Sequence, residues 1–142
     1  AEDFVLSGIG GWDIACLQEM HDGFAQGHPY SKNGYRWISA AIPFNGRYTA
    51  VVIRERLFAS IRAMPAGRSA AAEVATQLGN RVLIFSGYLP RSGHTIPEYV
   101  EAITEHFDKI DRHSKPGDVV VSGLDANVVP QAIDGSVHQG IF

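Results

Sequence analysis

The stretch Asp118-Val-Val-Val-Ser-Gly-Leu-Asp-Ala-Asn-Val128 constrains this chain more than any other. Three β-branched residues in succession, Val119 to Val121, suit a strand buried on both faces. Gly123 then lets the backbone turn or approach another group closely. Asp125 and Asn127 follow at a spacing of two, so in extended chain both side chains fall on one side of the strand end. A carboxylate and an amide facing one small volume suit a hard divalent cation such as Mg²⁺, with the amide free to orient a phosphate or a nucleophilic water. An Asx-rich turn after a buried strand has the same spelling.

With 142 residues the chain reads as one domain with a genuine core. Hydrophobic residues at 45% and charged residues at 19% describe an ordinary globular protein, neither disordered nor membrane-like. No apolar run approaches a bilayer span, and Ala1-Glu2-Asp3-Phe4 lacks the basic and apolar regions of a secretory signal. The expected location is intracellular, with a nuclear variant of it open. The start has no Met, consistent with a trimmed or internal one. Cys16 is the single cysteine and lies in the apolar run Ile14-Ala15-Cys16-Leu17, where a small buried hydrophobe is expected. A net charge of −3 argues against a broadly basic surface that coats nucleic acid, and leaves room for a local basic cleft.

Trp12 to Glu19 is predicted as a short strand that ends in the polar pair Gln18-Glu19. Residues 21 to 34, rich in Gly, Asp, Asn and Ser, are predicted as loop. Tyr35 to Ile42 and Tyr48 to Ile53 form a hairpin around Asn45-Gly46. Arg54 to Ala63 suits either a helical turn or a loop. Ser69 to Leu78 is alanine-rich, which by propensity says helix. It nevertheless runs through the turn Leu78-Gly79-Asn80-Arg81 into the strand Val82 to Phe85, so a second hairpin is preferred. Gly87 and Pro90 end that strand and leave Tyr88 at its carboxyl edge. A helix follows from about Ile96 to Arg112, opened by a capping box between Thr95 and Glu98 and by Pro97 in its first turn. Ile96, Val100, Ile103, Phe107 and Ile110 line its apolar face, which is expected to pack on the sheet. Ser114 to Gly117 stops the helix, and Val129 to Phe142 is predicted as a long loop.

Strand ends thus carry, in order, Gln18-Glu19, Tyr88-Leu89-Pro90 and Asp125-Ala126-Asn127. In this order and context they resemble the motifs of the endonuclease/exonuclease/phosphatase superfamily, over most of the chain from about Asp13 to Asn127. The resemblance implies an α/β (α+β) sandwich of two mainly antiparallel sheets flanked by helices, which hydrolyses phosphate esters with Mg²⁺ or Mn²⁺. Position by position, it implies that Glu19 binds the metal, that Tyr88 contacts the scissile phosphate, and that Asp125 with Asn127 orients the attacking water and the phosphate. The loops look most like the branch of non-LTR retroelement and apurinic-type endonucleases; a phosphate-ester substrate, DNA first, is expected, with RNA, an inositol phosphate or a phospholipid head group open. Phosphoryl transfer asks mainly for positioning and charge neutralisation, so a cation, a few oxygen ligands and a phosphate donor form a minimal set.

The chain departs from that pattern. Leu124 stands where the family has Gly, with Gly123 one residue earlier, and Ala126 replaces a bulky apolar residue. No early strand carries the family's Asn, and no Asp-His dipeptide occurs. The six histidines, His21, His28, His94, His106, His113 and His138, show no ligand or general-base spacing and are expected in loops or on the surface. Such a sandwich needs roughly 200 residues or more, so the chain reads as the amino-terminal and central portion of one, with little turnover alone. A catalytically inactive member acting as a scaffold, and an unrelated α/β binding domain, are the alternative readings. Tyr30, Lys32, Tyr35, Arg36 and Trp37 interleave aromatic and basic residues as a strand-binding edge would, and Arg54, Arg56 and Arg91 could add phosphate contacts. Ordinary solvated loop charges fit the same residues.

Overall fold

The computed structural model describes residues 12–20, 30–43, 46–89 and 95–125, and the backbone of 128–133 and 136–141. Strands β1 (Ile14–Met20), β2 (Tyr30–Lys32), β3 (Tyr35–Ser39) and β4 (Tyr48–Arg54) precede a single 3₁₀ turn, Glu55–Leu57. Then come β5 (Phe58–Ala63), β6 (Ala70–Thr76), β7 (Arg81–Tyr88), helix α1 (Ile96–His113) and β8 (Val119–Asp125). The backbone of β9 (Val128–Ile133) pairs with that of β10 (Ser136–Ile141).

Alternation along the strands explains the layering. One four-stranded sheet has the order β1-β4-β3-β2, and a second has β5-β6-β7-β8. Residues on one face of the first sheet, Ile38, Val51 and Ile53, meet Ala70, Ala72, Val74 and Ile84 of the second in a dry core. Their neighbours one position along, Trp37, Ala50 and Val52, gather with Tyr35 on the outer face of the first sheet. On the second sheet Ala71, Leu83 and Phe85 point away from the core, and Ile110 of α1 packs against them. The molecule is therefore an α+β fold of two mainly antiparallel sheets, with α1 against the outer face of the second. Every pairing in the four-stranded sheets is antiparallel except β7 with β8, the two strands that flank α1. A helical crossover is the kind of connection a parallel pair needs.

The alanine-rich segment is a strand. Helix propensity, at most a few tenths of a kcal/mol per residue, yields to alternate burial of Ala70, Ala72 and Val74 and to the tight turn at Gly79, where φ is +88°. Several expectations need correction. The predicted loop at 21–34 ends in a strand, because Asn33 and Gly34, at φ +53° and +80°, make the two-residue turn joining β2 to β3. Arg54 to Ala63 holds the 3₁₀ turn and then β5, since Phe58 and Ile61 bury towards the inter-sheet core. Most of the segment from Val129 to Phe142 has paired strand backbone where loop was predicted.

Helix α1 keeps its capping box, with Thr95 Oγ1 accepting from the Glu98 N–H and Glu98 Oε2 accepting from the Thr95 N–H, each at 3.2 Å. Its rotation differs from the expected one. Ile96, Val100 and Phe107 are exposed, and the fully buried position is His106. The apolar stripe is thus turned off the sheet normal. His106 also overturns the expectation that each histidine lies in a loop or on the surface.

Candidate functional site

Parallel pairing of β7 and β8 sets Tyr88 directly beside Asp125, because Val82 pairs with Val119 and the register holds for every residue to the end. The Leu89 N–H donates to the Asp125 carbonyl at 3.0 Å and locks the two ends together. Strand β1, although it belongs to the other sheet, reaches the same place. Cys16 packs on Gly123, Ser86 Oγ donates to the Leu17 carbonyl at 2.9 Å, and Gln18 Nε2 donates to Ser86 Oγ at 3.2 Å and to the Gly123 carbonyl at 3.5 Å. From Cys16 to Gln18 the contacts of β1 move along β7 from Phe85 to Ser86, and on β8 both residues meet Gly123, two residues before Asp125. The ends bearing Glu19, Tyr88 and Asp125 are therefore brought to one edge of the sandwich. Asn127 lies outside the described residues.

The close approach depends on glycine. A side chain at position 123 would run into Cys16 Cβ and stand 2.9 Å from Cys16 Sγ. Burial raises the Cys16 thiol pKa, with a smaller opposing effect from its hydrogen bond to the Gly123 backbone, so this cysteine is a packing residue. Gln18 is likewise structural. Its amide bridges the sheets, and the next residue is the acid left at the strand end.

Glu19 sits where the pairing of β1 with β4 slips, between Leu17 and Met20. Its φ is +58°, a left-handed conformation that costs a non-glycine residue about 1–3 kcal/mol. Bulges of this kind re-aim a side chain and are over-represented beside active sites. Glu19, Tyr88 and Asp125 are all partly buried and all engaged in interactions. Among the described residues no three His, Cys, Asp or Glu side chains form a metal-sized group. Mg²⁺ commonly needs only one or two carboxylates and completes its shell with water.

Behind Tyr88 lies a polar hollow of about 20 Å³, room for one water, lined by Arg68, Ser69, Tyr88, Glu105 and His106. Glu105 accepts from Lys109 Nζ and from Arg68 Nη2, each at 2.7 Å, and Lys109 also donates to the Ala66 carbonyl at 2.6 Å. These bonds, Lys109's foremost, hold the Glu105 carboxyl below its ordinary pKa of 4.5. His106 Nδ1 lies 3.1 Å from Ser69 Oγ and Nε2 lies 3.0 Å from Ser122 Oγ. Sequence reasoning passed over this histidine. Its one signal was position, four residues before Ile110 and three after Ile103, on the side of the helix that faces the sheet.

The aromatic and basic residues expected to grip a nucleic-acid strand stand elsewhere. Tyr35 pairs with Arg54 and Ile14 with Ile53, whereas Met20 pairs with Tyr48, so the Tyr35–Arg54 end of the first sheet is opposite the end where β1 terminates. Arg36 bonds Glu55 at 2.8 Å, and Arg54 bonds Asp13 at 3.0 Å while lying over the Tyr35 ring. These groups stabilise their own end of the sheet. Lys32 and Arg56 belong to that end as well, and Arg91 lies outside the described residues.

Comparison of the sequence with protein-family models returns no match, and comparison with curated proteins returns none.

Proposed function

We propose that the edge formed by the ends of β1, β7 and β8 is the site of a metal-dependent phosphodiesterase of the endonuclease/exonuclease/phosphatase kind, acting on a phosphodiester such as that of DNA. The observation that carries the reading is the meeting of these strand ends across two sheets, with Tyr88 paired to Asp125 and Gln18 anchored to Gly123 one residue before Glu19.

Glu19 would hold Mg²⁺ or Mn²⁺, and a bound cation would neutralise charge on the phosphate. The Tyr88 phenol is a donor suited to a non-bridging phosphate oxygen. The Asp125 carboxylate accepts a hydrogen bond from a water and so aims its lone pair at phosphorus. Asn127, by its position in the Asp-x-Asn motif, would donate its amide to the same phosphate. The sequence contains no Asp-His dipeptide of the kind that supplies the family's general base, so the turnover expected from it alone is low.

Two measurements test the reading together. Thermal unfolding with and without Mg²⁺ should show stabilisation of about 1.4 kcal/mol at ten times the dissociation constant, abolished in Glu19→Gln. Cleavage of bis(p-nitrophenyl) phosphate and nicking of supercoiled DNA should depend on Mg²⁺ or Mn²⁺ and on Glu19. Stabilisation without cleavage would favour a catalytically inactive binding module. Neither stabilisation nor cleavage would exclude the phosphodiesterase reading.

A further inference from the structure

His106 is 3% exposed and is the one buried histidine among the described residues. It comes from α1, yet it touches β7 and β8, two of the three strands whose ends form the candidate site. Nε2 meets Ser122, three residues before Asp125 on β8. Nδ1 meets Ser69, immediately before β6. Its ring lies so close over Gly87 that a Cβ there would stand 2.6 Å from both Cε1 and Nδ1. Leu124 Cδ1 crowds the same side of this glycine, at 2.9 Å from that Cβ position. Gly87 precedes Tyr88, and Leu124 precedes Asp125. The imidazole is thus wedged against the residues adjoining the two candidate catalytic groups. The same packing gives Leu124, which departs from the family pattern, a place in the fold.

We propose that His106 is a positioning residue, whose neutral imidazole bridges Ser69 and Ser122, fills the space over Gly87 and fixes the ends of β7 and β8, and that a proton added to the ring loosens this arrangement.

The neutral ring offers one N–H and one lone pair, and two hydroxyls that can each donate or accept satisfy both. The cation would force both hydroxyls to accept and would place a full charge in a site with almost no water. Around the ring stand Arg68 from the segment before β6, Glu105 and Lys109 on α1, and Tyr88 at the end of β7. Glu105 already serves both Arg68 and Lys109, so the nearest carboxylate is committed to other cations. Burial first, and the Lys109 charge second, accordingly lower the His106 pKa from its ordinary 6.5.

The consequence for phosphate-ester cleavage rests on the function proposed above, but the positioning does not, and its test uses neither metal nor substrate. In a pH titration of the intact chain followed by NMR, the His106 ring should titrate with a midpoint below 6.5, and the amides of Gly87, Tyr88 and Asp125 should shift with that same midpoint. His106→Gln should remove this midpoint from all three amides. Tyr88 and Asp125 amides that ignore the His106 transition, or that keep it in the variant, would overturn the proposal. Should His106→Gln not fold, the wild-type titration alone decides. Loss of phosphodiesterase activity with the shared midpoint intact would count only against the function.

Discussion

Gly123→Ala probes the contact that brings β1 onto β8. The new methyl would fall inside contact distance of Cys16 Cβ and 2.9 Å from Cys16 Sγ. A Cβ is fixed by its own backbone, so no rotamer change relieves the overlap and β1 must move away from β8. Overpacking of this sort costs about 1–3 kcal/mol. Alanine in place of a strand glycine returns about 0.5–1 kcal/mol, leaving a net loss of about 1.2 kcal/mol. At this length that corresponds to about 4 °C in Tm, or about 0.6 M in the urea midpoint. Cys16→Gly removes the obstructing atoms and should cost about 1.5 kcal/mol alone through lost packing and strand flexibility. Because the two changes relieve each other, the double variant should be no less stable than Gly123→Ala, a coupling of about 1.5 kcal/mol. Urea denaturation of the four proteins gives the cycle. A neutral Gly123→Ala, or strictly additive losses, would show that β1 and β8 do not approach as described.

Other consequences follow from the helix, the sheet edge and the buried charges. Thr95→Ala removes a reciprocal cap and should lower stability by about 1 kcal/mol, read as a matching loss of helical signal on heating; no change would mean that the cap carries nothing. Strand β8 is the last of its sheet and shows Val119 at 55% exposure, so Val119→Lys should suppress concentration-dependent association in light scattering while changing stability by only about 0.5 kcal/mol. Acid should weaken the fold in two stages. His106 is depressed from 6.5, so the unfolded chain binds a proton that the folded one refuses, and stability falls as pH drops beneath that value. Glu105 and Glu73 are depressed from 4.5, chiefly by hydrogen bonds from Lys109 and Arg81 respectively, and their contribution is present above that pH and lost as pH falls through the lowered values. Tm measured from pH 7.5 to 3 should show both stages in the wild type and only the lower one in His106→Gln.

Much of the fold was legible because strands in a two-sheet core advertise themselves by alternation and by β-branched runs. Val82 to Phe85 could be read as a strand directly, and the turn at Gly79 identified the alanine-rich strand against its propensity; Val119 to Val121 form a strand as read, but they are exposed at the sheet edge where burial on both faces was expected. The slip of β1 at Glu19 could not be read, because a bulge follows from strand pairing and leaves no periodic mark in a single strand. The rotation of α1 was hidden for a related reason. Its apolar stripe includes Ile96, Val100 and Phe107, but a histidine satisfied by two serines occupies the most buried position, and those serines lie 37 and 16 residues away in sequence. Of the candidate site, the residue types at the strand ends were legible and their meeting across two sheets was not. Gln18 had been read with Glu19 as one polar pair, although in space the first is a stitch between sheets and the second is the group at the edge. Interleaved Tyr, Trp and Arg around residues 30–37 suggested a strand-binding surface, until pairing put them at the opposite end of the first sheet.

Paramagnetic broadening by Mn²⁺ tests most directly whether the strand ends enclose one cation-bearing volume. Substoichiometric Mn²⁺ added to the ¹⁵N-labelled chain should broaden the amides of Glu19, Tyr88 and Asp125 together, and Glu19→Gln should weaken all three effects in parallel. Broadening confined to a single strand end, or centred on the Tyr35–Arg54 end of the sheet, would contradict a shared site.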